Sequence, residues 1–422
     1  MEMSEFRIVG FDCAEEEHSA VMLDEDGEII LKTKVVNRRD AVEDALSELA
    51  LSVGSGTGLI VALESERSHG RLVTDVASAL GIRVWKVKPV ALNRFREVEG
   101  QPHKDDDWDA YLAARMVYLR AKGCREIVEH TDEERALSRL GRSYERLSRD
   151  KTQHTLQLRA HLLELAPEVL HRGWTGPKVG SKAMEYLLER WPGFMGMEKA
   201  QLRSIEKILN RCRYGEEARS VAKLLRDMAR RINIDERERS VIALEIGFLI
   251  RQIQFCEAGR AEVRTEISVR VRQDSIGKKL LEMPGIGEIV AGVLLSELWP
   301  VARTTTEAKS AAFSGVTPLN RKTGKMPEHR RLARGVNKRI LTALYRSSVV
   351  AIGCSAIDKA YYTKKIHDYN GHPKPHVAAF IALSRQRHKV IFKLLTTEAR
   401  FDKEVLIGRH LDRLEEVRGA AA

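Results

Sequence analysis

The stretch Lys104-Asp105-Asp106-Asp107-Trp108-Asp109-Ala110, continuing as Tyr111-Leu112-Ala113-Ala114, decides what kind of fold this chain can have. Leu112, Ala113, Met116 and Leu119 recur with a helical period. Asp106 and Asp109 are three apart, so they share one face near the start of that helix. Two carboxylates side by side repel each other, and the helix N-terminus offsets little of that repulsion. A cation between them removes the conflict, and an all-oxygen site suits Mg²⁺. The plain alternative is an acidic first turn that acts as a cap. Asp105 and Asp107 stay rival ligands, because sequence does not settle helix phase to one residue.

Upstream, Phe6-Arg7-Ile8-Val9-Gly10-Phe11-Asp12 alternates as a strand and ends on an acid. Ala20–Leu23 and Ile29–Val36 read as further strands, joined through the turn Asp24-Glu25-Asp26-Gly27. A helix is expected over about 39–51. Gly58-Leu59-Ile60-Val61-Ala62-Leu63-Glu64 then reads as a buried strand, again ending on an acid. Helix follows over 70–80 and strand over 82–87, before the aspartate-rich helix. That order is the order of an RNase H-like α/β domain. In it the first and fourth strands are neighbours, so Asp12 and Glu64 project from adjacent strand ends and Asp106 and Asp109 come against them. Four carboxylates could hold two Mg²⁺ ions for phosphodiester chemistry.

At 422 residues the chain is long enough for two or three domains, and 43% hydrophobic content is ample for cores. The acidic start Met1-Glu2-Met3-Ser4-Glu5 is unlike a secretory signal. No apolar run approaches the ~18–20 residues that span a bilayer. The five cysteines (Cys13, Cys124, Cys212, Cys256, Cys354) stand singly, which argues against structural zinc and a disulfide framework and fits a reducing cytoplasm. Lys and Arg outnumber Asp and Glu by 71 to 60. Residues 301–350 hold eleven Lys/Arg against Glu307 and Glu328 alone, an electrostatic footprint for phosphate backbones.

From about 132 to 275 the periodicity is helical throughout. Residues 171–196, rich in Gly and Pro, read as a loop or short-helix linker. Helices are expected near 197–211 and 216–232, and a long one over about 236–272. Val241, Leu244, Phe248 and Phe255 mark one stripe of it; Ile242, Ile246, Ile250 and Ile253 mark another. Two apolar stripes mean a helix packed against several others, or an oligomer seam.

Next, Pro284-Gly285-Ile286-Gly287 between apolar helical segments carries the helix-hairpin-helix signature, in which Gly285 and Gly287 let backbone N–H groups approach a DNA phosphate. Ala311–Pro318, with Ser314, leads to Arg321-Lys322-Thr323-Gly324-Lys325. A basic helix is expected over Arg330–Ser348, carrying Arg330, Arg331, Arg334, Lys338 and Arg339, and a last helix over Val377–Leu395. A hydroxyl before a glycine, fenced by Arg and Lys, sits where it could meet a phosphate; most such residues are turn formers.

Taken together, Asp12, Glu64, Lys104-x-Asp106-x-x-Asp109-Ala110, the Arg-rich helix at 139–166, the Pro-Gly-Ile-Gly turn, Gly315-x-x-Pro318 and the segment through Asn337, Arg339 and Leu341 resemble one family over nearly the whole length. It is the family of DEDD transposases of bacterial insertion sequence family 110, relatives of the Piv DNA invertase. The resemblance implies a RuvC-like DEDD domain over 1–125, a helical and coiled-coil region over 126–275, and a C-terminal transposase domain over 276–422. It also implies Mg²⁺, donor and target DNA, a structured bridge RNA as guide, and a nucleophilic serine. A homo-oligomer, dimer or tetramer, is expected, in the cytoplasm at the nucleoid and without a membrane partner.

The family's serine stands in a Ser-Gly pair; here that pair is Thr323-Gly324. Either Thr323 serves, or Ser314 has taken over, or the protein binds DNA without cutting it. A smaller departure follows Glu64, where Ser65–Gly70 is longer than the family's acid–hydroxyl–glycine turn. A structure-specific nuclease that uses metal-activated water is the further alternative.

Overall fold

The computed structural model describes residues 5–54, 57–99, 105–321, 329–332, 335–398 and 401, and divides into two compact units, 1–129 and 130–422.

The first unit is a six-stranded sheet between two helical layers. β1 (Phe6–Asp12), β2 (Glu17–Leu23) and β3 (Ile29–Val36) form an antiparallel meander, followed by α1 (Arg39–Ser52). β4 (Gly58–Leu63), α2 (Arg71–Ala79), β5 (Arg83–Val87), α3 (Pro89–Val98), α4 (Asp106–Tyr118) and β6 (Cys124–Glu126) complete it. The strand order is β3-β2-β1-β4-β5-β6. β4 pairs parallel with both β1 and β5, and β6 closes the far edge antiparallel. Because β4 is central, its residues Leu59–Leu63 are all buried, which is why the run is apolar without alternation. Val9 and Phe11 of β1 point to one face, under Val42 and Leu46 of α1 and Val73 and Val76 of α2. Ile8 points to the other, under Leu92 of α3 and Leu112, Ala113 and Met116 of α4. Each such large apolar side chain contributes about 1.5–3 kcal/mol through burial. The sequence shows the meander and α4 but not α3 or β6.

In the second unit, α5 (Asp132–Leu165) opens on a capping box: the Glu134 N–H donates to Thr131 Oγ1, and the Thr131 N–H to the Glu134 carboxylate. α6 (Lys182–Arg190), α7 (Leu202–Arg211) and α8 (Ala218–Arg231) follow, then α9 (Glu236–Gln273), capped by Asp235. α5 and α9 have 34 and 38 residues, about 51 and 57 Å of helix, and pack on one another. The segment 171–196, expected as a loop or short-helix linker, holds α6 and one short 3-10 turn (Pro192–Phe194), with Met184, Leu187, Leu188 and Phe194 buried.

α10 (Ser275–Leu281), α11 (Glu288–Val293), a π-helical turn (Leu294–Leu298), α12 (Trp299–Ala302) and α13 (Glu307–Phe313) come next. β7 (Pro318–Arg321) and β8 (His329–Leu332) form an antiparallel hairpin, and α14 (Lys338–Cys354), α15 (Ala356–Asp368) and α16 (Pro375–Thr396) end the described chain apart from Phe401 and the residues to 398. The unit holds two buried clusters, and α5 and α9 reach into both: Leu158 and Ile246 into one, Leu137 and Ile267 into the other.

The basic helix expected over 330–348 is corrected at its start. Residues 329–332 are strand, and helix begins at Lys338, where the Asn337 side chain accepts from the Arg339 and Ile340 N–H groups. Gly335, at φ +80°, precludes continuous helix before it. The two stripes of α9 also part company. Ile242, Ile246, Ile250 and Ile253 are buried, whereas Val241, Leu244, Phe248 and Phe255 are 52–73% exposed. Among the described residues no single helix is long and apolar enough to cross a membrane.

Candidate active site

The register of β1 on β4 pairs Phe11 with Leu63, so the next residues, Asp12 and Glu64, leave adjacent parallel strands at the same end. Both are half-buried. α4 crosses β1 and β2 directly above. Gly10 makes that crossing close, since a Cβ there would overlap the Ala110 carbonyl oxygen. The strand-end acids and the first turn of α4 are therefore brought to one end of the sheet.

Helix phase, open in sequence, is settled by packing. Ala110, Ala113, Ala114 and Val117 are buried, and Asp109 is carried inward with them to 5% exposure. Asp106 is exposed, as is Asp105, which caps the helix without a side-chain bond. Asp107 pairs with Lys34 of β3 at 3.5 Å. Asp109 does not stand alone: Arg96 of α3 donates to its Oδ1 from Nε at 3.0 Å and also from Nη2. Burying an unpaired carboxylate is costly, and the guanidinium meets that cost. Nothing in local sequence links Arg96 to an aspartate thirteen residues on; the pairing exists only in the folded chain.

The long turn after Glu64 is ordered by its own bonds. Ser65 Oγ donates to the Arg67 carbonyl at 2.9 Å, and Gly70 lies against the Ser65 carbonyl, where any Cβ would clash. Glu66 is taken by Lys86; burial works to raise its pKa, but the Lys86 hydrogen bond and charge outweigh this and hold it low. Cys13, beside Asp12, is pushed up to about 12 by burial and then by the Asp12 charge, so it stays a thiol.

Asp12, Glu64, Asp106 and Asp109 offer only oxygen donors, the chemistry Mg²⁺ requires. Asp12 and Glu64 follow paired residues of β1 and β4, Phe11 and Leu63. In the side-chain arrangement present, no three His, Cys, Asp or Glu groups among the described residues are placed to hold a metal. Asp109 would join such a group only by giving up Arg96.

Thr323, with Lys322 and Lys325, lies outside the described residues, as does Arg334. The strands on either side are described: Arg321 closes β7 opposite His329, and Arg330 and Arg331 of β8 pair with Asn320 and Leu319. Ser314 is fully buried, and its hydroxyl donates to the Ser310 carbonyl at 2.8 Å, a bond made inside its own helical turn. That placement leaves it no access to a phosphate. Lys338 is exposed at the start of α14. Arg339 is committed to the interior instead, donating from Nε to Glu145 at 3.0 Å and from Nη1 to Glu297. Glu297 in turn accepts from Ser138 at 2.7 Å and Asn337 at 2.9 Å.

Helix, Pro284–Gly287 turn and helix are present as α10 and α11. Gly285 has φ +79°, and a Cβ would lie 2.5 Å from the Ser347 carbonyl, so this glycine is required by packing on α14. Gly287 is the N-cap of α11 and opens to space. The Glu288 carboxylate already occupies that N-terminus, held below its usual range by its own backbone N–H and then by Arg272.

One further string of groups has the look of a hydrolytic triad. Ser310 Oγ lies 3.1 Å from His388 Nε2, and His388 Nδ1 lies 3.0 Å from Glu307. Ser310 and His388 are both fully buried, so the string ties α13 to α16 and has no opening to a substrate.

Comparison with known proteins agrees with this layout. A family model described as a transposase, DEDD type of IS110, matches residues 9–167, and one described as Transposase IS116/IS110/IS902 family matches residues 277–363. An uncharacterized 43.6 kDa protein of insertion element IS110 from Streptomyces coelicolor is 22% identical over 96% of this chain and 97% of its own. A mini-circle protein from the same organism, named as a transposase for IS117, is 23% identical over 94% of this chain and 95% of its own. With both matches in order along one chain, and relatives aligned from end to end, the protein belongs to the IS110 family of insertion-sequence transposases.

Proposed function

We propose that the protein is a Mg²⁺-dependent, RNA-guided DNA recombinase whose first unit is an RNase H-like, RuvC-like catalytic domain. The observation that carries this is the parallel pairing of β1 with β4, which sets Asp12 beside Glu64 under the first turn of α4. Asp12, Glu64, Asp106 and Asp109 would hold the metal. A bound Mg²⁺ would lower the cost of ionising an attacking hydroxyl and offset charge on the phosphorane.

Thr323 supplies the hydroxyl. Its oxygen attacks a DNA phosphorus, the bond to O3′ breaks, and the 3′-hydroxyl leaves carrying a proton, so the chain is linked to a 5′-phosphate. The burial of Ser314 supports Thr323 over its rival. Arg321, Lys322, Lys325, Arg330, Arg331, Arg334 and Lys338 would neutralise the strand, with α10 and α11 acting as a helix-hairpin-helix. Arg339 is left out because its charge is already matched by Glu145 and Glu297. The exposed stripe Val241–Phe255 of α9 supports assembly as a homo-oligomer.

The test is denaturing electrophoresis of a labelled DNA strand with Mg²⁺ and the RNA transcribed beside the gene. A protein–DNA adduct that Thr323→Val removes and Thr323→Ser retains is the expected result. Free cut ends without an adduct would replace the recombinase with a nuclease that uses metal-activated water. Intact but shifted DNA would leave a binding protein.

A further inference from the structure

The chain has a second concentration of positive charge, well before the C-terminal basic segment in sequence. Residues 190–231 contain eleven Lys/Arg against five Asp/Glu, which is six of the chain's eleven net positive charges in a tenth of its length. They lie in the stretch between the two family matches, which end at 167 and resume at 277.

Within it, the end of α6 and the start of α7 enclose a cleft of about 480 Å³ lined by Arg190, Trp191, Lys199, Gln201, Ser204 and Lys207 among others. No acidic side chain lines it. Among the described residues Lys199 and Lys207 have no ion-pair partner, and Arg190 has a contact over the Trp191 ring at 5.9 Å but no carboxylate. Nearby cations packed against the same core are matched, Arg239 by Glu198 and Lys151 by Glu257. The floor is firm: Ile205 and Leu209 of α7 and Trp191 are anchored in the surrounding core. Gln201 and Ser204, at the start of α7, line the cleft, and Gln201, the N-cap, makes no side-chain capping bond. Three cations held together without a counter-charge repel one another, and an uncapped helix start adds to the positive potential. An anion relieves both.

We infer that this cleft binds the phosphodiester backbone of a nucleic-acid strand, with Arg190, Lys199 and Lys207 as its phosphate contacts. A nucleic acid is chosen because the cations continue beyond the cleft along α7 and α8, as a polyanion requires, and because the family processes DNA. In that choice the inference rests on the proposed function, but it needs neither the carboxylates nor Thr323.

The experiment is fluorescence anisotropy with full-length protein, without Mg²⁺, on labelled single-stranded RNA, single-stranded DNA and duplex DNA over a range of salt. The combined variant Arg190→Gln, Lys199→Gln, Lys207→Gln is compared with the charge-preserving Arg190→Lys, Lys199→Arg, Lys207→Arg. The neutral variant is expected to lower the log–log salt slope by about 2 on a single strand, or nearly 3 on a duplex, and to weaken binding at low salt by about tenfold or more. The charge-preserving variant keeps the slope. A loss confined to RNA identifies a guide strand, one confined to duplex identifies the DNA, and either supports the cleft. Unchanged slopes on all three probes overturn it. Because no metal or cleavage is involved, that failure is distinct from a failure to form the Thr323 adduct.

Discussion

Arg96 of α3 and Asp109 of α4 form an ion pair inside the first unit, Nε to Oδ1 at 3.0 Å, with side chains only 15% and 6% exposed. A cation that already neutralises a carboxylate stands in competition with any metal that would use it. Removing the guanidinium leaves Asp109 buried without a partner, a loss of about 3–5 kcal/mol. Arg96→Met should therefore unfold at lower temperature in EDTA, recover much of the loss in Mg²⁺, and bind Mg²⁺ more tightly than the parent by calorimetry. Equal destabilisation with and without the ion would separate Asp109 from the metal.

Gly10 is set by the approach of α4 to β1. Gly10→Ala places a methyl against the Ala110 carbonyl, which neither the strand nor the helix backbone can easily yield. The expected cost is about 3 kcal/mol, with the first unit losing its near-ultraviolet signal before its helix content. A variant as stable as the parent in urea would show that α4 sits further from the sheet.

The exposed α9 stripe predicts a concentration-dependent assembly. Phe248 and Phe255 are 52% and 73% exposed, so replacing both with Ser removes apolar surface without opening a core cavity. Light scattering should show the mass fall to that of a single chain, with unchanged helicity. A mass that stays the same would place the seam elsewhere.

Acid should weaken the second unit through His388. Burial lowers its pKa from 6.5 to about 4, against the hydrogen bond and charge of Glu307, which act to raise it. The folded state thus binds fewer protons than the unfolded chain between those values. Stability is complete above pH 6.5 and falls as the pH drops towards 4, by a total on the order of 3 kcal/mol. Glu307, held low by Arg385 and then His388, adds a loss at still lower pH. Urea midpoints for His388→Gln should be flatter over pH 4–6.5; a parallel curve would assign the acid sensitivity to other groups.

Whatever depends on neighbours a few residues away was legible in the chain itself. The alternation of Phe6–Asp12, the unbroken apolar run Gly58–Leu63 and the period through Leu112–Leu119 place β1, β4 and α4, and their order predicts that β1 and β4 are neighbours. The long helix α9 and both of its stripes were equally plain. Where local signals conflicted, the expectation failed: the cationic run 330–348 looks helical by composition, but Gly335 and the Asn337 cap start the helix later. Only tertiary structure decided that Asp109 turns inward while Asp106 stays out, that Arg96 meets it, and that Arg339 is used up on Glu145 and Glu297. Likewise it alone buried Ser314 and one stripe of α9 while leaving the other exposed. Periodicity sets which residues share a face, but the partner that covers that face comes from a distant part of the chain, and desolvation then fixes which charges must be paired.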